Sequence, residues 1–134
     1  MASCNWRIAE LPGLSKEQQT QLAAQGIRTT HQLLLATRTP QAKQQLARRL
    51  KIHPNYVLKW VALADLARVP SIGTQYCGLV LHSGVASVNQ LAQTPFSRLH
   101  QNIMKLQVAN LQRKDLAPPL GLVKQWVTEA RQFL

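Results

Sequence analysis

Residues 8 to 36 read IAELPGLSKEQQTQLAAQGIRTTHQLLLA, and residues 66 to 94 read LARVPSIGTQYCGLVLHSGVASVNQLAQT. The two stretches align without a gap, Pro12 pairing with Pro70 and Gly26 with Gly84 at one constant offset. Ala9/Ala67, Gln32/Gln90 and Leu33/Leu91 are identical pairs, while Ile8/Leu66, Leu11/Val69, Leu14/Ile72, Leu22/Val80 and Ile27/Val85 keep apolar character. An internal repeat of this size is a supersecondary unit that buries its apolar face against its copy. One structural plan is therefore expected twice.

Working outward, the punctuation of each copy spells short helices. Ser15 with Gln18 forms a capping box opening SKEQQTQLAAQ, and Gly26 suits the left-handed position that closes it. Thr29 with Gln32 opens the next helix, and the second copy repeats the device with Gly84, Ser87 and Gln90. Thr39-Pro40 and Thr94-Pro95 place a hydroxyl at N-cap and proline at the first helical position. Pro54 begins a longer helix, PNYVLKWVALADLA, and Pro118-Pro119 with Gly121 precede a last one, LVKQWVTEARQFL. Between these, residues 96 to 116 read as a helix followed by an irregular stretch. Trp60-Val61-Ala64 and Trp126-Val127-Ala130 close the two copies, the wider spacing marking a small insertion in the second. Both tryptophans read as core. Period-two alternation is absent, so no sheet is expected. The expected fold is all-α: units 1–65 and 66–134 packed as one helical domain.

Composition bounds the function. The 134 residues carry 16 Lys and Arg against 5 Asp and Glu, a formal net charge of +11. No acid falls between Glu17 and Asp65, a stretch that holds Arg28, Arg38, Lys43, Arg48, Arg49, Lys51 and Lys59. Such a field attracts nucleic acid, anionic lipid or an acidic protein. Cys4 and Cys77 show no metal-ligand or CxxC spacing and read as reduced thiols. MASCNWRIAE lacks the cationic and apolar regions of a secretory signal, and no apolar run is long enough to span a bilayer. A cytoplasmic protein with no membrane partner is expected.

The turns carry the chemistry. Leu11-Pro12-Gly13-Leu14-Ser15 and Val69-Pro70-Ser71-Ile72-Gly73 each link an apolar segment to a helix. They resemble the helix-hairpin-helix turn, which reads hydrophobic, Gly, hydrophobic, Gly. In that pattern the first glycine takes φ > 0, and the apolar residue plugs the core. The second glycine lets a phosphate approach the N–H groups and positive dipole end of the next helix. Each copy departs once: Ser15 replaces the second glycine, and Ser71 replaces the first. Ser71 is strained if its position needs φ > 0, whereas Gly73 keeps the approach open with Thr74 and Gln75 as further donors. Gly13, Ser15, Lys16, Gly73, Thr74 and Gln75 are the resulting candidates for phosphate contact. A packing role alone is the competing reading of both turns.

A second candidate is the basic helix from 40 to 50, where Leu46 and Leu50 face inward. Lys43 and Arg48 are expected to project away from them, with Lys51 at the helix end. These three would touch phosphate without reading bases, or simply keep a solvated face. Over almost its whole length the chain also resembles an uncharacterised bacterial family of tandem helix-hairpin-helix proteins. That resemblance rests on the two Pro-bearing turns, the Gly26-Ile27-Arg28-Thr29 and Gly84-Val85-Ala86-Ser87 corners, and Trp60 through Leu66, WVALADL. It implies a fold and no function.

Enzymatic readings fare poorly. Glycosylases of the helix-hairpin-helix class need an Asp some twenty residues past the turn, yet none follows Pro12 before Asp65, or Pro70 before Asp115. Phosphate-loop and nucleophile-elbow motifs are absent, and the few carboxylates are too scattered for a two-metal nuclease. His31, His53, His82 and His100 stand alone, so neither metal nor cofactor is expected. Two readings stay open. One is a non-catalytic module for nucleic-acid backbone, duplex DNA before RNA; the other is an adaptor for an acidic protein face, its turns serving structure only.

Overall fold

The computed structural model describes residues 3–111 and 118–134. Among these residues a 3-10 turn, Ile8–Glu10, leads into eight helices: α1 Lys16–Ala24, α2 Thr30–Ala36, α3 Pro40–Leu50, α4 Pro54–Leu66, α5 Gly73–His82, α6 Val88–Gln93, α7 Phe96–Leu111 and α8 Leu120–Arg131. Among the described residues there is no strand, only an isolated bridge between Arg7 and Thr29. The all-helical expectation holds. The irregular stretch expected toward 116 lies outside the described residues.

Local chemistry sets most boundaries where the residues ask for them. The Ser15 hydroxyl accepts from Gln18 N at 3.1 Å while Ser15 N donates to the Gln18 amide at 3.0 Å. Thr29 and Gln32 do the same, and Gly26 and Gly84 close α1 and α5 with φ of 78° and 106°. Ser87 caps α6, but the Gln90 carbonyl takes its N–H from Ala86 instead of Ser87. Two details differ from expectation. Thr94 does not cap α7: its hydroxyl donates back to Gln90 O, and Pro95 O accepts the first helical bond of α7. Gly121 sits inside α8, not before it.

The order α1–α4 recurs as α5–α8, and so does the packing. In the first set α2 and α3 lie against α4; in the second α6 and α7 lie against α8, with α4 against α5 joining the sets. Trp60 and Trp126 are fully buried at the centre of these contacts, with Leu22, Leu33, Val80 and Leu91 among the matching core positions. Of the paired turn residues, Ile72 is buried but Leu14 is only half-buried. The N-terminal segment fastens the two sets together. Cys4 N donates to Arg68 O, Trp6 N–H and C=O pair with Thr30, and the Trp6 indole N–H donates to Ala67 O at 2.7 Å. Asp65 adds a further tie, accepting from Val88 N at 2.8 Å and pairing with Arg68 at 3.0 Å.

Candidate nucleic-acid interface

The first turn is open. Pro12, Gly13, Ser15 and Lys16 are exposed, and Gly13 takes φ of 84°, a conformation that favours glycine. Ser15 and Gln18 satisfy one another, which leaves the Lys16 and Glu17 N–H groups at the start of α1 without a partner among the described residues. Unpaired N–H groups at a helix start, with the positive end of the dipole behind them, attract anions. Across the turn stands a lysine from another helix: Lys59 Nζ lies 3.7 Å from where a β-carbon on Gly13 would sit. Lys59 thus brings an ammonium group to the turn, while Lys16 and Glu17, exposed at the start of α1, carry one charge of each sign.

Lys59 also borders a shallow groove of about 420 Å³ lined by His53, Asn55 and Tyr56. Pro54 at the first helical position and His53 as N-cap fix the start of α4 here, His53 Nδ1 accepting from Asn55 N at 3.1 Å. Tyr56 is half exposed and leans on Trp60, ring centroids 6.4 Å apart.

The second turn is closed, and by the protein itself. Ser71 donates both its N–H, at 3.0 Å, and its hydroxyl, at 2.7 Å, to one oxygen of Glu129 on α8. The other carboxylate oxygen accepts from Gln125 at 2.8 Å, and the Trp126 indole N–H donates to Ser71 O. Burial pushes the Glu129 carboxyl up, but hydrogen bonds from the Ser71 hydroxyl, the Gln125 amide and the Ser71 N–H outweigh it and hold the group below its ordinary value. An internal carboxylate thus occupies both Ser71 donors of this turn.

Gly73 is not an open approach, which corrects the expectation drawn from its sequence. It is buried, its N–H is bonded to Val69 O, and a β-carbon there would lie 3.1 Å from the Trp6 ring. The positive φ of this turn also falls at Gly73, at 52°, and not at Ser71, so Ser71 carries no such strain. The two turns are therefore unlike in backbone as well as in surroundings. Thr74 is half-buried and Gln75 exposed, each with an N–H unpaired among the described residues.

The basic helix divides. At 100° per residue Lys43 shares a face with Ala47 and Leu50, and the structure has it half-buried, lining a cavity of about 390 Å³ with Leu34, Leu58 and Val61. It does not project away from Leu46 and Leu50 as expected. Arg48 is exposed, and Lys51 caps α3 in the left-handed conformation, φ 57°, two residues before the His53 groove. The candidates thus fall into three places: Gly13, Ser15 and Lys16 at the open turn; Gly73, Thr74 and Gln75 at the closed one; Lys43, Arg48 and Lys51 on differing sides of α3. The described residues contain no group of three or more His, Cys, Asp or Glu placed to hold a metal, and no helix long and apolar enough to cross a membrane.

A family model described as Domain of unknown function (DUF4332) matches residues 12–133. The chain belongs to this family. The DUF4332 match takes in the second turn, the first from Pro12 onward, and α1 through α8, while Trp6, which covers Gly73, precedes it. No curated protein and no solved structure matches the sequence. In this DUF4332 chain Lys59, Trp6 and Glu129 meet the two turns although no motif of the sequence marks them as site residues. Glu129 had one readable signal: it is the lone acid of α8, and Ser71 stands where the turn pattern asks for glycine.

Proposed function

We propose that this chain is a non-catalytic module that holds nucleic-acid backbone at its first turn, used in the manner of a helix-hairpin-helix. The carrying observation is the pairing of Lys59 Nζ with Gly13 at the open start of α1. A phosphate there meets two unpaired N–H groups, the Ser15 side and two ammonium groups. Nothing in that set reads a base edge, so contact is with backbone and independent of sequence. The second turn supports the division of labour by contrast: with Glu129 on the Ser71 donors and Trp6 on its glycine, it packs the repeat. The net charge of +11 supplies long-range attraction.

The test is an anisotropy titration of labelled duplex DNA, single-stranded DNA and RNA at two salt concentrations. Contacts to two or three phosphates of a duplex lower affinity roughly 10- to 40-fold between about 50 and 200 mM salt. Lys16→Glu with Lys59→Glu removes most of the binding and flattens that dependence. The closed second turn equally favours the adaptor reading, in which the basic surface meets an acidic protein. Absence of micromolar binding to every nucleic acid at low salt selects the adaptor.

A further inference from the structure

Backbone contact leaves one part of the site unused, the exposed aromatic face of Tyr56. Tyr56 is 50% exposed, a high value for a large aromatic side chain on a packed helix. Its orientation is supported from behind by Trp60, at 47° between ring planes. One helical turn further along α4 is Lys59, the residue that reaches Gly13. Residues three apart on a helix are neighbours on its surface, and the Tyr56 ring and Lys59 border the same groove. His53 and Asn55 complete the groove, and the Asn55 side chain makes no hydrogen bond among the described residues.

We propose that this groove takes one unpaired base, stacked on Tyr56, while the adjoining phosphate sits between Lys59, Lys16 and the Gly13 turn. The inference rests on the reading of the first turn as a phosphate site. It adds a substrate class: the chain prefers single-stranded nucleic acid to blunt duplex. Inside a duplex the faces of each base are covered by its neighbours, so Tyr56 gains nothing there; an unpaired base offers its π-face whatever its identity. The shallow groove and its single exposed ring admit one base, not a run of them.

The experiment compares three labelled probes of equal length at one salt concentration: a single strand, the same strand made abasic, and a blunt duplex. Wild type, Tyr56→Ala, Tyr56→Phe and Lys59→Ala are titrated against each, with circular dichroism and melting curves alongside. The single strand is expected to bind wild type more tightly than either other probe. Tyr56→Ala loses roughly 10-fold or more on the single strand and nothing on the abasic strand or duplex, while Tyr56→Phe keeps the preference because it keeps the ring. Equal binding of single and abasic strands by wild type overturns the base groove. If Lys59→Ala still weakens all three probes in that case, the backbone reading stands without it. Binding of none of the probes removes both. Should Tyr56→Ala fail to fold, the wild-type comparison of single and abasic strands, with Tyr56→Phe, decides the matter alone.

Discussion

Substituting Gly73 by Ala tests the closed turn most sharply, because two separate penalties meet there. The first is conformational: at φ 52° an L-residue is left-handed, which costs about 1–2 kcal/mol. The second is steric. The new β-carbon would lie 3.1 Å from Cζ2 of Trp6 and 3.5 Å from Cη2, and the indole cannot simply swing away because its N–H is bonded to Ala67 O at 2.7 Å. Overpacking of this kind costs about 1–3 kcal/mol, so Gly73→Ala is expected to lose about 2–5 kcal/mol in all. The two parts separate in a double-mutant cycle. In a Trp6→Ala background only the conformational part remains, and the same substitution costs about 1–2 kcal/mol. Urea unfolding followed by far-ultraviolet circular dichroism measures all four corners without relying on Trp6 fluorescence. An equal cost in both backgrounds would refute the claim that the indole fills the face of Gly73.

Glu129 gives the turn a pH signature. Its folded carboxyl titrates below the ordinary 4.5, so its stabilisation is present above pH 4.5 and lost as pH falls through the folded value. Glu129→Gln should cost about 1.5–3 kcal/mol at neutral pH and flatten the fall in melting temperature as pH drops below 4.5; an unchanged pH profile would count against the carboxylate bridge. Ile72→Ala, at a fully buried site, should cost about 2–5 kcal/mol, and Leu14→Ala, half-buried, about 1–2 kcal/mol. Equal losses in urea titration would show that the two turns are buried alike. Burial pushes the Cys77 thiol up to about 11, so at pH 8 alkylation should reach the half-buried Cys4 and spare Cys77 until the chain unfolds. Equal labelling of both under native conditions would contradict that burial.

What was legible in the sequence was whatever is decided within a few residues. Ser15, Thr29, Thr39 and Ser87 mark their helix starts because a hydroxyl and an N–H three positions on are enough to form a cap. The repeat offset carried the order of elements from one set to the next for the same reason. The face of Lys43 is also readable, since Ala47 and Leu50 follow it at i+4 and i+7: its phase on the helix, not its charge, decides where it points. What could not be read is what meets each turn in space. Trp6 reaches Gly73, Glu129 reaches Ser71 and Lys59 reaches Gly13 across long stretches of chain, and no local spacing encodes such contacts. They make two similar pentapeptides into one open turn and one closed turn.

Backbone amide shift mapping, with a short single-stranded oligonucleotide titrated into the isotopically labelled protein at low salt, tests the interface most directly. Progressive shifts are expected at residues 13 to 17 and 53 to 59, fading as salt is raised, with Ser71 silent under the Glu129 bridge and Gly73 silent under Trp6. Shifts concentrated at 71 to 75, or none at 13 to 17 with the oligonucleotide in several-fold excess, would contradict the assignment of phosphate binding to the first turn.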